Sequence, residues 1–193
     1  MKAGRRQRRR IVLGVTGSIA AFKAAELASD LRKRGHDVRV ILTAAAQRFV
    51  TPLTFRTLTG NPVHADLWSE GEETKAEHLA AIEDAHLLVV APATADFLAR
   101  AGGGFASDTL TATVLAAHCP ILVAPAMNYR MWENRIVQRN VATLREFGFE
   151  FVDPEEGWLA EGYSGVGRLA SVENLLERID ELLARPSKNR TKR

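Results

Sequence analysis

A short turn rich in glycine and hydroxyl residues stands between the first apolar run of the chain and the first helical pattern. It is GVTGS, with Gly14, Gly17 and Ser18 at the point where a strand would pass into a helix. Glycines allow a tight turn, and the free N–H groups at a helix start, helped by a serine hydroxyl, can bind phosphate. The turn lacks both the GxGxxG pattern of dinucleotide sites and the Lys-Ser/Thr of a P-loop. A mononucleotide such as FMN therefore fits it better than a dinucleotide or ATP, although a plain strand-to-helix turn could have the same composition.

Two further apolar runs also end in small or polar residues. HLLVVA is followed by PATADF, in which Thr94 stands at a helix entry. PILVA is followed by PAMNYRMW. The small side chains of Pro125 and Ala126 leave room close to the backbone, and the Asn128 amide can both donate and accept hydrogen bonds. Three such strand ends together are what a flat ligand lying across the edge of a sheet requires.

These turns need a sheet that brings the strand ends to one edge. Nearly continuous apolar runs, typical of strands covered on both faces, occur at 11–15, 38–42, 86–91 and 120–124. Helical patterns alternate with them, and Ser18 is predicted to cap the first helix. The alternation predicts an α/β fold: a Rossmann-like (flavodoxin-like), doubly wound parallel sheet in three α/β/α layers. Ligands bind such sheets beyond the carboxyl ends of the strands, where the three turns would lie.

The positive charge of the chain is concentrated at its two ends. Residues 1–10 carry six Lys/Arg and residues 185–193 carry five, so the net +3 of the whole chain leaves −8 for residues 11–184. We expect both ends to be disordered basic tails that bind no specific nucleic acid, and residues 11–184 to form one domain. The sequence has neither a membrane-spanning run nor a secretory signal, which predicts a cytoplasmic protein. With Cys119 as its single cysteine the chain can form no intramolecular disulfide or thiolate metal cluster, and no metal site is expected.

Five stretches, taken in order, resemble the motifs of the flavin-dependent cysteine decarboxylases (HFCD flavoproteins), and most closely those of the phosphopantothenoylcysteine decarboxylases. They are GVTGSIAAFKA, VILTAAAQRFV, EHLAAIEDAHLLVVAPATADF, PAMNYRMW and EGYSGVGRLA. PAMNxxMW is the most specific of them. The resemblance implies an FMN protein that assembles as a homotrimer or homododecamer, with the flavin at a subunit boundary. It also implies decarboxylation of a small-molecule cysteinyl substrate in coenzyme A biosynthesis, 4′-phosphopantothenoylcysteine giving 4′-phosphopantetheine.

The resemblance further implies roles for individual residues. His78 matches the family's active-site histidine, and an imidazole is suited to proton transfer at neutral pH. Asn128 would bind the substrate carboxylate or adjacent amide, Met127 would line the substrate pocket, and Arg168 is a candidate for the substrate phosphate. The residues that would hold FMN are Gly17, Ser18, Ile19, Thr43, Thr94, Ala95 and Ala126.

One position departs from the pattern of the coenzyme A branch. That branch commonly carries LACGxxGxGR, whose cysteine donates the proton in the final reduction, whereas this chain has LAEGYSGVGR with Glu161 in that place. Three hypotheses follow: Glu161 is the catalytic proton donor, the enzyme releases the enethiol as peptidyl-cysteine decarboxylases do, or the protein is a non-catalytic, regulatory FMN-binding homologue. A flavin prenyltransferase shares the fold but lacks PAMNxxMW. Many bacterial relatives continue into a fused phosphopantothenate–cysteine ligase, so a separate ligase is expected here.

Overall fold

A six-stranded parallel sheet forms the centre of the computed structural model, which describes residues 8–68, 76–158, 162 and 164–185. Its strands are β1 (Arg10–Val15), β2 (Asp37–Leu42), β3 (Val63–His64), β4 (Leu87–Ala93), β5 (Ile121–Pro125) and β6 (Glu150–Phe151). Their spatial order is β3-β2-β1-β4-β5-β6, which is the Rossmann order and confirms the predicted fold class. The order reverses between β1 and β4, so the crevice beyond the carboxyl ends of these two strands is the expected ligand position.

Helices cover both faces of this sheet. The described residues form α1 (Ala21–Lys33), α2 (Pro52–Thr59), α3 (Glu77–Ile82), α4 (Ala95–Gly102), α5 (Thr109–Ala116), α6 (Tyr129–Trp132), α7 (Arg135–Glu146) and α8 (Val172–Ala184). Successive strand residues alternate between two cores: Ile11 and Leu13 pack with α1 and α8, whereas Val12 packs with α3, α4, α5 and α7. Burial on both faces is the reason that the strands read as continuous apolar runs.

Some boundaries differ from the prediction. β1 begins at Arg10, one residue before the predicted start of the domain, and the Arg10 Nε donates to Asp37 Oδ2 at 2.9 Å. Between 129 and 146 the chain forms two helices: α6 ends at Trp132, and Asn134 caps α7 by accepting from Ile136 N at 2.9 Å. No helix within the described ranges is both long enough and apolar enough to cross a bilayer.

A two-stranded antiparallel hairpin lies apart from the central sheet. Its strands are β7 (Glu155–Trp158) and β8 (Ser164–Arg168), neither of which the apolar runs of the sequence predicted. The hairpin is fastened to the loop after β5, where Met127 N donates to Gly167 O at 2.9 Å. It therefore stands beside the carboxyl edge of the sheet, next to the PAMN turn.

Candidate functional site

Thr16 ties together the ends of the two strands at which the sheet order reverses. Its Oγ1 donates to Pro92 O at 2.8 Å and accepts from Thr94 N at 3.0 Å, and the side chain is buried, with 2% of the residue exposed. The turn before α1 and the start of α4 are thus held side by side. The sequence analysis missed Thr16, although its position between the two glycines of GVTGS was a visible signal.

The GVTGS turn is built differently from the prediction at Ser18. Helix α1 begins only at Ala21, and the Ser18 Oγ accepts from Ala20 N at 3.2 Å in a tight turn before the helix, so Ser18 is not the helix cap. The backbone N–H groups of Gly17 and Ile19 have no acceptor among the described residues. The turn therefore offers two backbone donors and one hydroxyl proton to an anion.

The same turn lies against the loop after β2. A Cβ on Gly17 would lie 2.5 Å from the Cβ of Ala45 and 3.0 Å from its carbonyl carbon, so only glycine allows this approach. In the neighbouring loop, Thr43 N donates to Val15 O at 3.1 Å, and Thr43 Oγ1 accepts from Ala46 N at 3.2 Å. Thr43 is thereby placed at the same edge as the GVTGS turn, as predicted for a cofactor residue.

The start of α4 forms the second part of the site. Thr94 is its N-cap, as expected from a threonine at a helix entry, and its Oγ1 accepts from Phe97 N at 3.3 Å. Among the described residues, nothing accepts from the first-turn N–H groups of Ala95 and Asp96. Ala126, which is almost fully buried, donates its N–H to the end of β4 at 3.0 Å. Two helix N-termini and small side chains thus converge at one crevice, which fits the phosphate and flat ring of a mononucleotide.

The PAMN turn carries the predicted substrate residues. Asn128 caps α6, with its Oδ1 accepting from Arg130 N at 2.9 Å. Met127 is partly buried against the core shared with α4 and α7, and its backbone binds Gly167 of the hairpin. The structure therefore brings Met127 and Asn128 next to β8.

Arg168, the last residue of β8, is exposed and lies close to Lys23 of α1. Its guanidinium passes over Gly157, where an added Cβ would lie 3.1 Å from Nη1. Lys23 Nζ donates to Leu169 O at 3.4 Å. Burial lowers the pKa of Lys23 below its usual range, and the charge of Arg168 lowers it further. The sequence analysis did not select Lys23.

His78 lies elsewhere, in the first turn of α3. Its Nδ1 is buried, and no described residue lies within hydrogen-bond distance of it. The ring faces an open cavity lined in part by Trp68, Ala112 and Leu115, and none of the residues predicted to hold FMN is among the described residues of that lining. Among the described residues, the lining of this cavity and the flavin crevice are therefore separate. Glu161, the remaining predicted catalytic residue, lies outside the described residues.

The backbone around His78 is held from two sides. Thr113 Oγ1 of α5 donates to Thr109 O at 2.7 Å and also lies 3.3 Å from the carbonyl oxygen of His78. The preceding residue, Glu77, contacts Nδ1 of the buried His64 at the end of β3. These contacts fix the first turn of α3 against the sheet.

The sequence is similar to known proteins along most of its length. Residues 2–184 match the family model described as Flavoprotein. A probable phosphopantothenoylcysteine decarboxylase of Streptococcus mutans is 41% identical over 177 residues, which cover 91% of this chain and 99% of that protein. A bifunctional coenzyme A biosynthesis protein of Mycolicibacterium smegmatis is 47% identical over 182 residues, which cover 91% of this chain but 44% of that protein. The chain thus spans less than half the length of the bifunctional relatives it matches.

Solved structures share the fold. A cysteine-to-serine mutant of PPC decarboxylase, complexed with pantothenoylaminoethenethiol, has a TM-score of 0.82 at 28% identity, covering 91% of this chain and 98% of that one. The FMN-dependent cysteine decarboxylase SpaF has a TM-score of 0.80 at 37% identity, covering 93% and 97%. Family model, full-length relative and structures agree, and the chain belongs to the Flavoprotein family and, within it, to the flavin-dependent cysteine decarboxylases.

Proposed function

We propose that this protein is an FMN-dependent decarboxylase that converts 4′-phosphopantothenoylcysteine to 4′-phosphopantetheine. The name of the Streptococcus mutans relative, which aligns over 99% of its length, supports this substrate. The observation that carries the proposal is the convergence of the GVTGS turn and the start of α4, which Thr16 locks together beyond β1 and β4. Unpaired backbone donors and small side chains at a topological switch point suit the phosphate of a mononucleotide.

Decarboxylation of this substrate requires an electron acceptor, which a flavin can generate. The carboxylate of a C-terminal cysteine has no neighbouring group that can accept the electron pair left behind when CO2 departs. When bound, FMN would supply a two-electron oxidation of the cysteinyl side chain to a thioaldehyde, which accepts that pair as a β-keto acid does. The residues that would hold FMN are Gly17, Ser18, Ile19, Thr43, Thr94, Ala95 and Ala126.

The chain's own side chains would handle the proton and the carboxylate. His78 would take the proton of the substrate thiol, and no described residue occupies its buried Nδ1. Asn128, at the N-terminus of α6, would hydrogen-bond the substrate carboxylate or the adjacent amide. Met127 would line the same pocket. Glu161 is proposed as the proton donor of the final reduction.

A second copy of the chain would complete the site, as a homotrimer or homododecamer. The apolar residues Ile19, Phe22 and Phe49 are exposed, and the exposed Trp68 and Leu115 line the His78 cavity. A contact of the first set in one copy with the second set in the next would join two different surfaces, and such contacts form a closed ring when the rotation between copies closes. Light scattering of the purified protein tests this, and a monomer that still decarboxylates the substrate would contradict it.

Anaerobic incubation with 4′-phosphopantothenoylcysteine tests the activity. We expect a yellow protein with one FMN per chain, release of CO2, and 4′-phosphopantetheine as the product. Mass spectrometry separates the hypotheses, because the enethiol that peptidyl-cysteine decarboxylases release is two hydrogens lighter than the thiol. The variant Glu161→Cys should raise the thiol fraction if the proton donor limits the reduction. FMN binding without CO2 release would favour the regulatory homologue, and a colourless protein that takes up no FMN would refute the proposal.

We further propose a cytoplasmic protein in which residues 11–184 form the enzyme domain between basic tails. The strongly basic, acid-free composition of residues 1–10 and 185–193 supports the tails. A phosphopantothenate–cysteine ligase would supply the substrate.

A further inference from the structure

Two cationic side chains, Lys23 and Arg168, lie together where α1 meets the end of β8. We propose that this pair binds the phosphate monoester of the substrate and so selects phosphorylated cysteinyl substrates over unphosphorylated ones. The inference rests on the proposed function and adds Lys23, as a specificity-determining residue, to the site.

Both cations lie near the end of β8. Lys23 Nζ donates to Leu169 O at 3.4 Å, and Leu169 is buried and directly follows Arg168 in the chain. The guanidinium of Arg168 lies across Gly157, where the missing side chain leaves room for it. The positive charge of Arg168 is near enough to act on the Lys23 ammonium group.

No carboxylate of the described residues lies within ion-pair distance of either cation. Glu155, the carboxylate that acts most strongly on Lys23, is engaged elsewhere: its Oε1 accepts from Ser171 N at 3.0 Å and from Asn174 Nδ2 at 2.7 Å. Burial and the neighbouring Arg168 both lower the pKa of Lys23, against the weaker, longer-range pull of Glu155, Glu26 and Glu173. A pair of like charges without a contacting counter-ion is relieved by an anion, and a phosphate dianion can accept from both groups.

The pair also stands in the right part of the molecule. Gly167, the residue before Arg168, accepts a hydrogen bond from Met127 N. Asn128, the proposed carboxylate-binding residue, directly follows Met127. Lys23 lies in the first turn of α1, four residues after Ile19 of the GVTGS region. The phosphate of FMN could therefore bind this pair of cations instead of the substrate phosphate. The experiment must distinguish these two phosphates.

Calorimetric titration of the FMN-loaded protein with 4′-phosphopantetheine and with pantetheine makes this separation. We expect the wild-type protein to bind the phosphorylated ligand at least tenfold more tightly. Lys23→Met and Arg168→Met should each reduce that preference about tenfold while the pantetheine affinity and FMN content stay unchanged. Lys33→Met is the matched control, since Lys33 is an exposed lysine on the same helix that pairs with Asp30, and it should preserve the preference.

Several results would overturn the inference. They are equal wild-type affinity for the two ligands, an equal loss for both ligands in Lys23→Met, or loss of FMN with the preference retained. A measurement that needs no variant is competition by inorganic phosphate, which should weaken binding of 4′-phosphopantetheine but not of pantetheine. A clear preference in a protein that releases no CO2 would refute the proposed function and leave the paired-cation site standing.

Discussion

Replacing Gly167 by alanine tests how the β7–β8 hairpin is held against the loop after β5. A Cβ at this position would lie 2.1 Å from Met127 O, 3.2 Å from Tyr129 N and 3.3 Å from the carbonyl carbon of Asn128. All three are backbone atoms, so no side-chain rotation relieves the contact. Gly167 does not have a positive φ, and the steric contact is therefore the whole penalty of the substitution.

The hairpin can respond to the added methyl group in two ways, and each gives an expected loss of unfolding free energy. If it stays docked, the overpacked contact costs about 1–3 kcal/mol of unfolding free energy. If it undocks, the protein loses the hydrogen bond between Met127 N and Gly167 O, about 1 kcal/mol, together with the buried area around it. Either way we expect about 1–3 kcal/mol of destabilisation, which for a chain of this size lowers the unfolding midpoint by about 2–12 °C.

Gly102→Ala is the matched control, because it adds the same methyl group where no atom outside its own helix backbone lies closer than 3.8 Å. Alanine is favoured over glycine in a helix by about 1 kcal/mol, although a position at the helix end gains less, so this variant should melt at or above the wild-type temperature. Thermal unfolding followed by circular dichroism measures both. A Gly167→Ala protein that melts with Gly102→Ala, and whose hairpin resists protease as in the wild type, would refute the reasoning.

Two further predictions follow from single side chains. His78→Ala should retain FMN absorbance but release no CO2, whereas the exposed His118→Ala should behave like the wild type; full turnover without His78 would exclude it as the base. For Asp37, burial raises the pKa, but hydrogen bonds from Arg10 and Asn61 outweigh it and hold the pKa below the ordinary 3.8. Ionised Asp37 therefore stabilises the fold above that value, and the contribution is lost as the pH falls through the lowered pKa. Denaturant unfolding should show a smaller loss of stability on acidification in Asp37→Asn than in the wild type, and equal losses would contradict this assignment.

The central strands and their ends were predictable because strands buried on both faces have continuous apolar sequences. The run at 120–124, for example, became Ile121–Pro125. By contrast, β3 and β6 are two residues each at the edges of the sheet, and their pairing depends on neighbours that the local sequence does not reveal. The candidate site shows the same difference between local and long-range signals. The capping role of Thr94 could be predicted from its residue type. The bridging role of Thr16 could not, because it depends on β1 and β4 being neighbours in the sheet. The nearness of Lys23 to Arg168 is likewise a product of the hairpin's position.

The hairpin connects the two parts of the proposed substrate site, the Asn128 turn and the Lys23–Arg168 pair. Substrate binding can therefore be disturbed without disturbing the flavin crevice. Gly167 binds the turn that carries Asn128, and the next two residues place a cation and a carbonyl oxygen beside Lys23. The flavin crevice, in contrast, is held by Thr16 and by the approach of Gly17 to Ala45, without the hairpin. Loosening the hairpin through Gly167→Ala should therefore weaken binding of 4′-phosphopantetheine while FMN remains bound. Parallel titrations with the ligand and with FMN measure the two effects, and equal losses of both would show that the hairpin supports the flavin crevice as well.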